Sequence, residues 1–408
     1  MFFKVSLLIV FFVLMLLVGV YYRKASSSVD DFVLGGRKVG PWLSAFSYGT
    51  SYFSAVIFVG YAGQFGWRFG ISATWIGIAN ALVGCLLAWV VLGKRTRTMT
   101  RHLKSTTTPD FFELRFGSLK LKLAASLIIF VFMIPYTASL YNGLSRVFGM
   151  AFNIDYSVCV IGMAALTGVY VIVGGYMATA INNVIQGIIM LGGIIAVVVS
   201  VLSGLGGFSE ALSALSQVGG EGVYTSPFGP DVRSLLGVMI LTSLGAWGLP
   251  QMVHKFYAID SDKSIKAGAV ISTVFALVIG CGAYFLGGFA QLFDGPAIRS
   301  VGGGVIYDSI IPFMLSSMPD ILIGIVVVLI MSASMSTLSA LVMTSSSTLT
   351  LDFIKGTIVK DMSEKRKVGL MRVFLVFFIA VSAGIALWQH SSSVSFIAQF
   401  MGISWGAM

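Results

Sequence analysis

Eleven apolar runs divide this chain, and nearly all are long enough to cross a hydrocarbon core about 30 Å thick at about 1.5 Å per helical residue. They fall at 2–22, 41–66, 70–93, 122–149, 157–174, 181–203, 235–256, 267–292, 320–350, 370–389 and 394–408, and each predicts a helix. With 57% hydrophobic and 10% charged residues and a mean hydropathy of +0.94, the chain is no ordinary soluble domain. It reads as an all-α polytopic membrane protein forming one transmembrane domain over 1–408. YYRKASSS follows the first run directly, with no small-residue cleavage site, so that run is expected to be a retained helix and not a signal peptide.

The bases divide sharply between the two faces. Of the 26 Lys and Arg residues, 21 fall in loops on one side, and the other five (Lys4, Arg68, Arg146, Arg233 and Arg299) lie opposite. Cytoplasmic loops carry the positive excess, so the N-terminus is expected outside a cell membrane and the base-rich loops inside. The net charge of +10 is then a matter of topology, which speaks against nucleic acid as a partner.

All 16 acids sit in loops or at run ends, leaving no carboxylate at mid-membrane for a proton relay. Asp352, beside Lys355 at the end of its run, reads as a solvated terminal charge. His102, His254 and His390 are also at run ends, and Cys85, Cys159 and Cys281 read as small buried hydrophobes. No nucleophile and base, and no metal-ligand spacing, points to an enzyme. VGGGVIYD (301–308) has no strand before it, so it is not a phosphate loop.

Neutral oxygen is what remains. ILIGIVVVLIM (321–331) runs on into SASMSTLSALVMTSSSTLT (332–350), with hydroxyls at Ser332, Ser334, Ser336, Thr337, Ser339, Thr344, Ser345, Ser346, Ser347, Thr348 and Thr350. Sodium is a hard cation about the size of calcium and takes several oxygens at roughly 2.3–2.6 Å, which hydroxyls and freed backbone carbonyls supply without formal charge. Carbonyls are free where a helix breaks, and in inverted-repeat transporters that happens in corresponding helices of the two halves. Two segments predict such breaks: 44–67, with Gly49, Gly60 and Gly63, and 242–253, with Gly245, Gly248 and Pro250. With 2–22 set aside as an extra helix, these open two sets of five, 41–203 and 235–408. The same hydroxyls also suit bonds to carbonyls one turn back, which let helices pack closely; that is the reading taken for Thr344 to Thr348.

Several stretches, in order, resemble the sodium:solute symporter family of sodium/proline, sodium/pantothenate, sodium/glucose and sialic acid carriers. DFVLGGRKVGPW (31–42) resembles its loop before the first core helix, FSAVIFVG (53–60) its unwound segment and PDFFELRFGS (109–118) its cytoplasmic loop. YVIVGGYMATAINNVIQG (170–187) and ASMSTLSALVMTSSSTLTLDFIK (333–355) follow two more of its patterns. The resemblance implies a LeuT-type fold of inverted five-helix repeats and a sodium-coupled symporter working by alternating access. Its shared sodium site would use the carbonyls of Thr50, Phe53 and Ala333 with the hydroxyls of Ser336 and Thr337. The spacing of Ala333, Ser336 and Thr337 at i, i+3 and i+4 independently places them on one helix face. Where the family's second site has an Asp, this chain has Asn182 and Asn183, so one sodium per solute is expected.

LGAWGLPQMVHKFYAI (244–259) and IPYTAS (134–139) resemble the proline branch, which implies a solute site lined by Ser54, Ile57, Tyr136, Tyr141 and Trp247. Tyr52, where that branch has an Asp, and His254-Lys255, replacing its basic pair, depart from it. A neutral sugar, polyol or sialic acid stays open as solute, and so does a sodium-dependent membrane sensor without flux. A monomer is the expected functional unit. QFMGISWGAM ends inside an apolar run where the family continues, so the last repeat helix reads as cut and further helices as missing.

Overall fold

The structure is a computed structural model, described here for residues 2–22, 28–220, 222–300, 302–359 and 361–388. The expected helix at 394–408 lies outside the described residues. The others form, with edges shifted by a few residues. The N-terminal helix Phe2–Tyr22 lies outermost, with 17% of its most apolar window buried, against 83% for the span Asp320–Ile354. The hydroxyl-rich helix is thus the axis of the bundle and is surrounded by protein. Its hydroxyls meet other helices and not lipid tails.

Both predicted breaks form, for different physical reasons. The first broken helix runs from Pro41 to Tyr52, loses helical geometry at Phe53 (φ −96°, ψ 89°) and resumes as a wide π-helix over Val56–Tyr61 before Ala62–Phe69. Ser54 restarts it: its Oγ accepts the Val56 N–H at 3.3 Å, the local capping that Ser offers in place of a helical bond. The second runs Val232–Gly248, turns at Leu249 and restarts at Pro250, with a bend of 50°. Pro250 has no N–H to continue the ladder, and its ring holds Leu249 in extended geometry (φ −67°, ψ 118°).

A third break divides the expected helices 157–174 and 181–203. Both helices form within Tyr156–Gly204 and meet at Gly175, with φ 59° and ψ −168°, a conformation open only to glycine. The glycines near the first break serve packing instead. A Cβ on Gly66 would lie 1.9 Å from the Gly287 carbonyl oxygen, and one on Gly49 would lie 2.6 Å from the Phe275 ring. The broken helix therefore rests directly on the Asp262–Gly287 helix, backbone against backbone.

Two hydrogen-bonded networks close the base-rich end. Arg101 Nη2 donates to the carbonyls of Arg37 and Ile259, each at 2.9 Å, and Arg97 Nη1 pairs with Asp262 at 2.7 Å. Beside them Lys122 joins Glu113 (2.7 Å), Asp110 (3.1 Å) and Asp352 (3.7 Å) at the edge of a cavity of about 270 Å³. Asp352 is 1% exposed, so the expectation of a solvated terminal charge is wrong: the Thr107–Phe116 segment folds back over it and Lys122 supplies its counter-charge.

Candidate functional site

The break at Phe53 is aimed at one face of the hydroxyl-rich helix. Ser336 Oγ lies 2.9 Å from the Thr50 carbonyl oxygen and 3.0 Å from that of Ala333. Thr337 Oγ1 lies 3.1 Å from Ala333 O, 3.2 Å from Ser51 O and 3.4 Å from Thr50 O. All these residues are at most 1% exposed. Two hydroxyls have two protons to donate, yet three carbonyl oxygens crowd around them. Carbonyl and hydroxyl oxygens gathered away from water, with no carboxylate among them, are a donor set that suits a hard monovalent cation.

Thr50, Ala333, Ser336 and Thr337 are thus brought together as expected. Phe53 stands at the break itself, fully buried, but among the described residues neither Ser336 nor Thr337 donates to its carbonyl. Ser51 was missed by sequence reasoning although its carbonyl is freed by the same interruption as that of Thr50. The other hydroxyls of the helix behave differently. Ser334 donates to Ile330 O (2.8 Å), Ser339 to Ser336 O (2.9 Å), Ser346 to Met343 O (3.2 Å) and Ser347 to Thr344 O (3.0 Å), all within one turn of their own helix.

Asn182 and Asn183 are both fully buried on the stretch after Gly175. Asn182 donates its amide to the Met15 carbonyl at 3.3 Å, and Gln186 approaches the Met15 sulfur at 3.5 Å, so this polar face seats the N-terminal helix. Asn183 has no hydrogen-bond partner for its side-chain nitrogen or oxygen among the described residues.

The five residues expected to line a solute site are distributed around the two breaks. Ser54 and Ile57 follow the first break, and Tyr136 and Tyr141 sit on the Leu119–Phe152 helix; all four are at most 2% exposed. Trp247 is half-buried just before the second break, where its indole N–H donates to the Val83 carbonyl at 3.0 Å. That bond turns its polar edge toward the 80–87 segment. A network joining the breaks was not foreseen: Tyr52 donates to the Thr242 carbonyl at 2.9 Å, while Thr242 (2.8 Å) and Ser243 (3.1 Å) both donate to Asn80 Oδ1. Gly84 makes room for it, since a Cβ there would lie 2.4 Å from the Tyr52 hydroxyl. The departure at Tyr52 signalled a change at this position, but nothing in the sequence pointed to Asn80.

The sequence profile of the sodium:solute symporter family matches residues 32–407. Among curated proteins, the chain is 31% identical to the sodium/proline symporter of Haemophilus influenzae, over 96% of this chain and 78% of that protein. It is 29% identical to the high-affinity proline transporter of Bacillus subtilis, over 96% and 82%. Its fold is similar to that of a substrate-bound, outward-open sodium-coupled sialic acid symporter, with a TM-score of 0.83 at 20% identity over 100% of this chain and 86% of that one.

Proposed function

The chain belongs to the sodium:solute symporter family, and from that premise we propose that it imports proline, or a closely similar small amino acid, together with one sodium ion by alternating access. The observation that carries this reading is the junction of Thr50 O, Ser51 O, Ala333 O, Ser336 Oγ and Thr337 Oγ1 between a broken helix and the bundle axis. Sodium held there links the two elements, and the Phe53 carbonyl completes the set when the ion draws it in. The ion thereby favours the form in which the breaks are ready for solute, and it leaves to the low-sodium side. One sodium moving its charge down 100 mV contributes about 2.3 kcal/mol before any concentration gradient is added.

Proline is favoured by the relatives named sodium/proline symporter, at 28–31% identity. Ser54, Ile57, Tyr136, Tyr141 and Trp247 are proposed to line its site, between the two breaks. With Asn183 where a carboxylate would be needed, a second sodium lacks a formal counter-charge, which is why one ion is proposed. We further take 41–203 and 235–408 as the two repeats, 2–22 as the extra helix, the base-rich end as cytoplasmic and the monomer as the working unit.

The test is thermal stability of the purified protein in sodium against equal potassium, with and without proline, for wild type and Thr337→Ala. A ligand at a hundred times its dissociation constant stabilises by about 2.7 kcal/mol, so a bound sodium is visible. A sodium-specific shift that proline enlarges and Thr337→Ala cuts to about half or less is the expected result. A sodium shift indifferent to proline removes the substrate, and no difference between the cations removes the site. Counterflow of labelled proline in proteoliposomes distinguishes a carrier, which exchanges, from a sensor, which does not.

A further inference from the structure

Away from the ion and solute sites, the base-rich end has a groove of about 350 Å³ between two helices, walled by Trp89, Val90, Ile265 and Ala269 and bordered by Lys94, Lys266 and Asp262. Its floor is narrow because two glycines let the helices approach. A Cβ on Gly93 would lie 3.1 Å from Ile265 Cγ2, and one on Gly268 would lie 2.6 Å from the Trp89 ring. Its outer edges are apolar and face away from the bundle: Val90 is 66% and Val270 63% exposed. Four residues beyond Val90 stands Lys94, and four before Val270 stands Lys266, both exposed. On each helix the apolar wall thus gives way to an ammonium about one turn on, toward the base-rich end.

Charge complementarity identifies the occupant. The single acid at the rim, Asp262, is already paired with Arg97 at 2.7 Å, with Lys94 further off at 3.5 Å. Lys266 has no ion pair among the described residues, and Arg95 is exposed next to Lys94. What is left is a net positive rim above an apolar slot, the order in which a phospholipid carries its phosphate and its acyl chains. Basic pockets between membrane helices on the base-rich side suit anionic headgroups.

We propose that this groove is a binding site for one anionic phospholipid of the base-rich leaflet, with an acyl chain against Val90, Ile265 and Ala269 and its phosphate between Lys94 and Lys266. The site lies on the outer wall of the helix carrying Asn80 and of the helix on which the first broken helix rests, so its occupancy reaches both through packed backbone.

The test is titration of phosphatidylglycerol or phosphatidylcholine, each with brominated chains, into the purified full chain in detergent, read as quenching of tryptophan fluorescence. Phosphatidylglycerol is expected to quench at lower concentration, with part of the quenching lost in Trp89→Phe. Lys94→Gln with Lys266→Gln is expected to weaken it about 30-fold, from the value of two surface lysines. The control Lys365→Gln with Arg366→Gln removes two exposed bases of another loop on the same face and is expected to change little. Equal quenching by the two lipids, an unchanged double variant, or an equal loss in the control overturns the proposal, as does full protection by millimolar inorganic phosphate. Should Trp89→Phe not fold, native mass spectrometry of phosphatidylglycerol retained by the lysine variants decides the same question.

Discussion

Ser336 and Thr50, 286 residues apart in sequence, share a hydrogen bond of 2.9 Å, the Ser336 hydroxyl donating to the Thr50 carbonyl. The carbonyl is available because its helix ends two residues on, at Tyr52, and the hydroxyl is available because it projects from the bundle axis toward that end. One contact thus joins the element that breaks to the element that does not, the place where the proposed sodium would link them.

Thr337→Ala removes one hydroxyl but leaves the carbonyls of Thr50, Ser51 and Ala333 in place. A loss of at least about tenfold in sodium affinity is expected, equivalent to about 1.4 kcal/mol, whereas Thr337→Ser keeps the oxygen and stays close to wild type. The sodium dependence of the melting temperature measures both. Equal behaviour of the Ala and Ser variants would show that the hydroxyl serves packing alone.

One sodium per solute predicts a single charge moved per proline, readable as the membrane potential at which net flux reverses in proteoliposomes. Asn183→Asp places a carboxylate in a fully buried position. A buried carboxylate needs a counter-charge, so the variant is expected to become more sodium-dependent in stability and to move a second charge. Two charges per proline in the wild type would contradict the proposal.

Lys122→Met leaves the Asp352 carboxylate buried without its cation. Breaking a buried pair from one side destabilises by about 3 kcal/mol, and adding Asp352→Asn in the same chain recovers much of that loss. Denaturant titration of the single and double variants reads the difference. A double variant no better than the single one would place the value of Lys122 in its bonds to Asp110 and Glu113.

Gly66→Ala forces a methyl group into the Gly287 carbonyl, where both partners are backbone and neither can rotate away. The expected cost is about 3 kcal/mol or more, seen as a lower melting temperature and poor yield. Gly237→Ala, where a Cβ meets nothing within 4 Å, is the neutral comparison.

The loop after residue 287 carries a pH-dependent contact. Arg299 donates to both Asp294 oxygens, at 3.0 and 2.6 Å, and lies over the Trp67 ring at 5.8 Å. That bonding holds the Asp294 carboxyl below its ordinary value. A depressed carboxylate contributes above the ordinary Asp value and loses that contribution as pH falls through the lowered one. Resistance of this loop to proteolysis is expected to hold from neutral pH down to about 4 and then fall in the wild type. In Arg299→Gln it is expected to be lower at neutral pH and nearly flat with pH.

Much of this was legible in the chain. Pro250 announced the second break because a residue without an N–H cannot continue a helical ladder, whatever surrounds it. The first break forms at Phe53 and Ser54, inside the 53–60 stretch that resembles an unwound segment, while Gly49 and Gly63, which also pointed to a break, serve close packing. Asp352 was misread because solvation at a helix end depends on what folds over it, here the segment containing Asp110 and Glu113.

By itself the sequence determined that the chain is a bundle of membrane helices, that two of them break, and that neutral oxygen rather than carboxylate is what it places within its apolar runs. Those properties follow from local hydropathy, backbone geometry and residue type. Which two of eleven hydroxyls meet freed carbonyls, and that Asn80 ties Thr242 and Ser243 beside Tyr52, was decided only by the tertiary structure. A hydroxyl bonds as readily to its own helix as to another, and only the packing of a distant break against it selects between the two.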